Sequence, residues 1–232
     1  MVGTLVFIHG WATTPEVWAG QKEYFSGEYE VILADISAAK NIKEAADSVY
    51  GLVRDKNNFI LIGWSLGWLV ILELLKTFKI KPNGIISVNS TAKFVDDGYL
   101  GAGPKKAHLD KTIRDCRRDA GRAFSDFYKT ILSDKGNEAF TGLNPDGIDY
   151  NNLIHGLNML KDCDYREFIK DVRIPALFIA GEQDTICPQE ASFYMQEKIQ
   201  GSKLKIMECG HMPFWSNAVE FNSMVHNFLK GL

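Results

Sequence analysis

The run Gly63-Trp64-Ser65-Leu66-Gly67 constrains this chain more than any other feature. It stands between an apolar stretch, Phe59–Ile62, and a segment apolar nearly all round, Leu66–Phe78. The first has the length of a strand covered on both faces, and the second reads as a helix buried behind a sheet. A serine with glycines two residues away on either side permits a strained strand-to-helix turn, in which strand and helix approach too closely for larger residues. Glycines also flank ordinary surface turns, so the weight of the motif rests on its strand–turn–helix setting.

Five further apolar runs have strand length: Leu5–Ile8, Val31–Leu33, Ile85–Val88, Ala176–Ala180 and Leu204–Met207. Helical patterns separate several of them. Pro15–Phe25 follows Thr14 as a candidate N-cap, and Ile42–Val53 follows an Asn41/Glu44 capping box with Ala45, Val49, Leu52 and Val53 on one face. Asn217–Leu229 repeats apolar residues at helical spacing. This alternation predicts an α/β fold with a mostly parallel sheet flanked by helices. Between about Asp96 and Tyr165 there is no strand-like run, only helical patterns such as Ala107–Ile131 and Leu153–Leu160. A structureless loop of that length would be out of place in a compact domain. Residues 96–165 are therefore expected to form a helical insertion in a core made of 1–95 and 166–232.

At 232 residues, one sizeable domain is the expectation. A composition of 46% hydrophobic and 24% charged residues is that of a globular protein, and a net charge of −3 gives no support to nucleic-acid binding. The four cysteines show no CxxC spacing, which argues against a zinc site or a disulfide scaffold. The longest apolar stretch, around Leu66–Leu75, is interrupted by Glu73 and too short to span a bilayer. With no signal-peptide pattern near Leu5–Ile8, a cytoplasmic protein without a membrane partner is expected.

A serine nucleophile needs a base, which an acid in turn orients. Of five histidines, His9 sits in an apparent turn and His108, His155 and His226 lie in predicted helices. His211 differs: it follows the last strand-like run in a loop that ends regular structure at Met212-Pro213-Phe214. Asp184 follows the preceding run, Ala176–Ala180, in the segment Gly181–Pro188. Asp96 or Asp97, past the fourth run, is the alternative acid, while Glu182 lies too close to its strand. The order Ser65, Asp184, His211 suits a Ser…Asp…His triad. Negative charge on a tetrahedral intermediate would be met by the backbone amides of Trp11 and Leu66, with His9 fixing the turn. Such chemistry calls for no metal and no organic cofactor.

These motifs resemble the α/β-hydrolase family over nearly the whole chain. More narrowly, the chain is similar to the pimeloyl-acyl-carrier-protein methyl ester esterases of biotin synthesis. The residues concerned are His9-Gly10-Trp11, the Gly63–Gly67 turn, Gly156–Lys161 through Asp164, Ile174-Pro175, Gly181 with Asp184 and Pro188, and Gly210-His211 with Pro213-Phe214. Three features depart from the pattern: Trp68 stands where most relatives have glycine, no Asp-x-Pro-Gly-x-Gly-x-Ser loop comes after the second run, and the N-terminal pair of strands common in the superfamily is not expected here. The resemblance implies a helical cap over the site and an acidic acyl carrier protein as partner. The stretch Lys105–Arg122 holds seven basic and three acidic residues, a net +4 against −7 for the remainder. Arg114, Arg118 and Arg122, at i, i+4 and i+8, would line one helix face and dock the carrier, although a charge run is more often a solvated face. Trp64, Trp68, Phe124 and Phe127 would form an apolar channel for an aliphatic chain. The expected activity is hydrolysis of a carrier-bound pimeloyl methyl ester. A short-chain carboxylesterase, a thioesterase, a C–C hydrolase or a hydrolase-fold binding protein are the alternatives.

Overall fold

A computed structural model describes residues 2–98, 103–132 and 149–232, so parts of the expected insertion, at 99–102 and 133–148, lie outside the described residues. Six strands form one sheet: β1 (Thr4–Ile8), β2 (Glu30–Ala34), β3 (Phe59–Trp64), β4 (Gly84–Val88), β5 (Ala176–Gly181) and β6 (Lys203–Met207). Their order is β2-β1-β3-β4-β5-β6, and every pairing is parallel. Alternate residues face opposite layers, as strand geometry requires. Val6, Ile8, Leu61, Ile85 and Phe178 join one hydrophobic cluster, while Leu5, Phe7, Ile62, Ile86 and Ile179 join the other. Helices α2 (Ile42–Val53) and α3 (Leu66–Thr77) pack together on the first layer, and α1 (Ala19–Phe25) covers the second.

Local signals explain where helices begin. Asn41 Oδ1 accepts from the amides of Lys43 and Glu44 at 3.1 and 3.0 Å, while the Glu44 carboxylate returns to the amide of Lys40 at 2.9 Å. That is a capping box shifted by one residue. Thr14 makes no side-chain cap; Pro15–Trp18 is a 3-10 turn, and α1 starts only at Ala19. Glu73, the charge interrupting α3, is buried but satisfied: Tyr165 Oη donates to it at 2.8 Å and Thr77 Oγ1 at 3.1 Å. Burial and the neighbouring Cys163 push the Tyr165 hydroxyl well above its ordinary pKa, which keeps it a donor.

Between β4 and β5 lie α4 (Lys106–Arg118), α5 (Ala120–Ile131) and α6 (Tyr150–Asp162). The single helix expected over Ala107–Ile131 is thus two. Asp119, at φ −155° and ψ 88°, leaves helical geometry and caps α5 by accepting from the amide of Arg122 at 3.0 Å. Arg114 and Arg118 therefore do not share a helix face with Arg122. Where the chain enters and leaves the insertion, Arg166 bridges Asp97 and Asp164 at 2.9 and 2.7 Å, and Lys93 bonds Asp97 at 2.7 Å. After β5 come α7 (Gln189–Lys198), α8 (Pro213–Ser216) and α9 (Ala218–Leu229), with α9 against α1. Pro213 starts a short helix, although the sequence suggested that regular structure stops there. Among the described residues no helix is long and apolar enough to cross a membrane.

Candidate active site

The parallel register brings the carboxyl ends of the strands together: Ile8 lies beside Gly63, Gly63 beside Ser87, Val88 beside Ile179 and Gly181 beside Met207. Ser65, directly after β3, adopts φ 53° and ψ −118°. A side-chain-bearing residue with positive φ is costly and persists only where its surroundings enforce it. Here the Ser65 amide donates to Val88 O at 3.0 Å, and Ser90 Oγ donates to Ser65 O at 2.7 Å. The two glycines have the predicted reason. A Cβ on Gly63 would lie 2.6 Å from the Gly67 carbonyl carbon, and one on Gly67 would overlap Ile8 O.

Asp184 and His211 meet across the loops after β5 and β6. His211 Nδ1 lies 2.8 Å from Asp184 Oδ2, with both side chains buried. Asp184 Oδ1 is occupied by the amides of Ile186 and Cys187 at 2.8 and 3.0 Å. The carboxylate is thereby aimed, and its bond requires the proton of the neutral imidazole to sit on Nδ1. His211 Nε2 is left as an acceptor, buried and without a hydrogen-bond partner among the described residues. Burial, helped by the charge of Asp184, holds the thiol of the neighbouring Cys187 well above its usual pKa.

The alternative acids lie elsewhere. Asp97 is taken up by Lys93 and Arg166, and Asp96 accepts from the amide of Gly98 at 2.8 Å. The residue directly after β4 is Asn89, fully buried at φ 41°. Its Nδ2 donates to Gly210 O at 2.6 Å and its Oδ1 accepts from the amide of Gly181 at 2.6 Å. One side chain thus ties the residue before His211 to the strand end that carries Asp184. Sequence reasoning missed it. The available signal was a polar residue just past a strand-like run, the position also held by His9.

At the end of β1, His9 Nε2 accepts from the amide of Ile36 at 3.0 Å, so the ring proton is on Nδ1 and is donated to Gly10 O at 2.9 Å. Thr13 Oγ1 donates to the same carbonyl at 3.0 Å. In a trans peptide the N–H points opposite to the C=O. Gripping Gly10 O therefore sets the direction of the Trp11 amide.

A cleft of about 570 Å³ opens at Ser65, walled by Trp11, Phe94, Leu109, Phe127 and Leu157 among others. Its size and apolar walls suit a small-molecule site. Of the four aromatic residues expected there, Phe127 lines it. Trp64 does not: its side chain is buried beneath the histidine loop, with Nε1 donating to His211 O at 2.8 Å and the ring 5.1 Å from Phe214. Trp68 also turns away, into the core against Phe178 at 5.8 Å. Phe124 is buried beside Tyr128, with ring centroids 4.0 Å apart, and forms no part of the wall. A second hollow of about 390 Å³ is lined by Arg118 and Arg122 together with Asp115 and Asp126, and also by Trp11 and Phe127; Arg114 is not part of it. Among the described residues no cluster of three His, Cys, Asp or Glu side chains stands ready to hold a metal.

Sheet order, strained serine turn and flanking helices are together those of the α/β-hydrolase fold. No family model matches the chain. It is similar to the pimeloyl-[acyl-carrier protein] methyl ester esterase of Legionella pneumophila (strain Lens), 25% identical over 232 residues, covering 97% of this chain and 95% of that protein. The enzyme of the same name from Wigglesworthia glossinidia brevipalpis is 28% identical over 246 residues, covering 97% and 93%. Among solved structures, an esterase from Exiguobacterium antarcticum matches with a TM-score of 0.89 at 20% identity, over 98% of this chain and 92% of that one. With that fold and those relatives, the chain is a carboxylic ester hydrolase.

Proposed function

We propose that the chain hydrolyses its ester through a Ser65–His211–Asp184 triad and a covalent acyl-enzyme. Ser65 Oγ attacks the ester carbonyl as His211 Nε2 takes its proton, and Asp184 stabilises the resulting imidazolium. The amides of Trp11 and Leu66 donate to the tetrahedral oxyanion and stabilise its charge. Collapse of that intermediate expels the alcohol, which leaves with the proton held by His211. A water molecule then attacks the acyl-enzyme by the same route and releases the acid. The observation that carries this reading is His211 itself: its Nδ1 is held by a buried carboxylate, while its Nε2 is buried and unpartnered among the described residues. A buried acceptor left open is costly unless something is to bond there.

For the substrate, we propose the methyl ester at the distal end of a carrier-bound pimeloyl chain, as in biotin synthesis. The helices α4, α5 and α6 act as a cap, and Arg114, Arg118 and Arg122 attract an acidic carrier. Names of the sequence relatives and the +4 charge of Lys105–Arg122 support this part. Docking the carrier outside the cleft would deliver only the distal ester to Ser65. The test is twofold. A fluorophosphonate probe should label the wild type and leave Ser65→Ala unlabelled; a binding protein would not react. Turnover of methyl pimeloyl carrier protein should exceed that of free p-nitrophenyl esters at equal concentration. Equal turnover would reduce the reading to a carboxylesterase without a carrier.

A further inference from the structure

We infer that the inserted helices hold the oxyanion loop in its working geometry, with Tyr128 of α5 as a positioning residue that acts through Ala12. The inference rests on the oxyanion reading just given and extends it to residues outside the sheet. Gly10 O is gripped from the core by His9 and Thr13, which orients one end of the loop. The other end runs through Ala12 at φ 58°, a left-handed conformation that is unfavourable for alanine. The bond that accompanies it comes from the insertion: Tyr128 Oη donates to Ala12 O at 2.7 Å from 116 residues away in sequence.

Between these two carbonyls sits Trp11, whose amide is the proposed donor. Its ring, like Ala12 O, is held by the inserted helices. Nε1 donates to Leu153 O at 2.8 Å on α6, and the ring meets Phe127 edge-on with centroids 4.6 Å apart. Gly156 makes this seat possible, because a Cβ there would overlap Trp11 Cδ1. The donor residue is thus clamped at its ring and at the next carbonyl by two helices. Release of either clamp would let the Ala12–Thr13 peptide relax toward an ordinary conformation, draw Thr13 Oγ1 off Gly10 O and so free the Trp11 amide to turn.

An oxyanion donor must lie within about 2.7–3.1 Å of the developing charge, and that charge exists only along the reaction path. A loosened donor therefore lowers kcat and leaves KM nearly alone. The experiment compares p-nitrophenyl acetate with its O-aryl thionoester, in which sulfur replaces the carbonyl oxygen and accepts hydrogen bonds weakly. In the wild type a working hole should favour the oxoester strongly. Tyr128→Phe should lower kcat for the oxoester about tenfold with KM within twofold, and should compress the oxoester-to-thionoester rate ratio by the same factor. Trp11→Phe, which keeps the backbone amide but loses Nε1, should do likewise at matched circular dichroism. A Tyr128→Phe enzyme with unchanged kcat, or with lower kcat but an unchanged ratio, overturns the clamp while leaving the hole in place. A wild type without preference for the oxoester overturns the hole and the clamp with it.

Discussion

At the carboxyl edge of the sheet the His211 and Asp184 side chains are 2% and 0% exposed and bond at 2.8 Å. On α4 and α5, Arg118 and Arg122 are 76% and 75% exposed and meet Asp115 and Asp126 only at 3.4 and 3.8 Å. The first region excludes water, so each hydrogen bond there is strong and each missing partner costly. The second is bathed in water, where single ion pairs contribute little and only the summed charge acts over distance. At the sheet edge, then, a displaced atom should matter more than a displaced charge. On α4 and α5 the reverse should hold.

The largest effects should come from the edge. Ser65→Ala and His211→Ala should each reduce ester hydrolysis by about a thousandfold or more with the fold retained. Near wild-type turnover in either, with matched circular dichroism, would remove the triad. Next in size is Asp184→Asn, which keeps the shape of the side chain but favours the wrong imidazole tautomer. A loss on the order of a hundredfold or more is expected in kcat. Asp97→Asn, which removes a partner of Lys93 and Arg166, should leave turnover within about twofold. The opposite ranking would transfer the acid to the end of β4.

Asn89→Gly should give a smaller fall, about tenfold. Glycine tolerates φ 41°, so the substitution isolates the loss of the two bonds to Gly181 and Gly210. If Asn89 aligns the acid and base loops, the downfield proton resonance of His211 Nδ1 should also weaken. A sharp, unshifted resonance beside reduced activity would assign Asn89 to general stability instead. The smallest and most selective effect belongs to the inserted helices. Arg118→Glu with Arg122→Glu should raise KM for a carrier-bound ester several-fold and leave a small free ester unchanged. Added salt should mimic it, since exposed charges are screened beyond roughly 8–10 Å at physiological ionic strength. Equal loss on both substrates would mean that the cap was merely damaged; no loss on either would return the basic run to a solvated face.

Much of the sheet edge was legible in the residues because its signals are local. Gly63 and Gly67 lie within two residues of Ser65, and continuous apolar runs mark strands covered on both faces. Chain order then separates His211 from the helical histidines, and Asp184 from most other carboxylates. The inserted helices were less legible because amphipathic periodicity carries straight through a helix break: Ala107–Ile131 reads as one helix unless Asp119 is recognised as an N-cap.

Six strands and a strained serine turn could thus be read from the chain itself, each resting on neighbours a few residues apart. Tertiary structure alone decided which way the large side chains turn. Trp64 goes beneath the histidine loop, Trp68 into the core, and Trp11 onto α6, 142 residues along the chain. It also decided that Asn89 joins loops 92 and 121 residues away, and that buried Glu73 finds Tyr165. The physical reason is common to all of them. A backbone conformation is chosen largely by its immediate neighbours, whereas a buried ring or amide is directed by whatever cavity and hydrogen-bond partner the rest of the packed chain supplies.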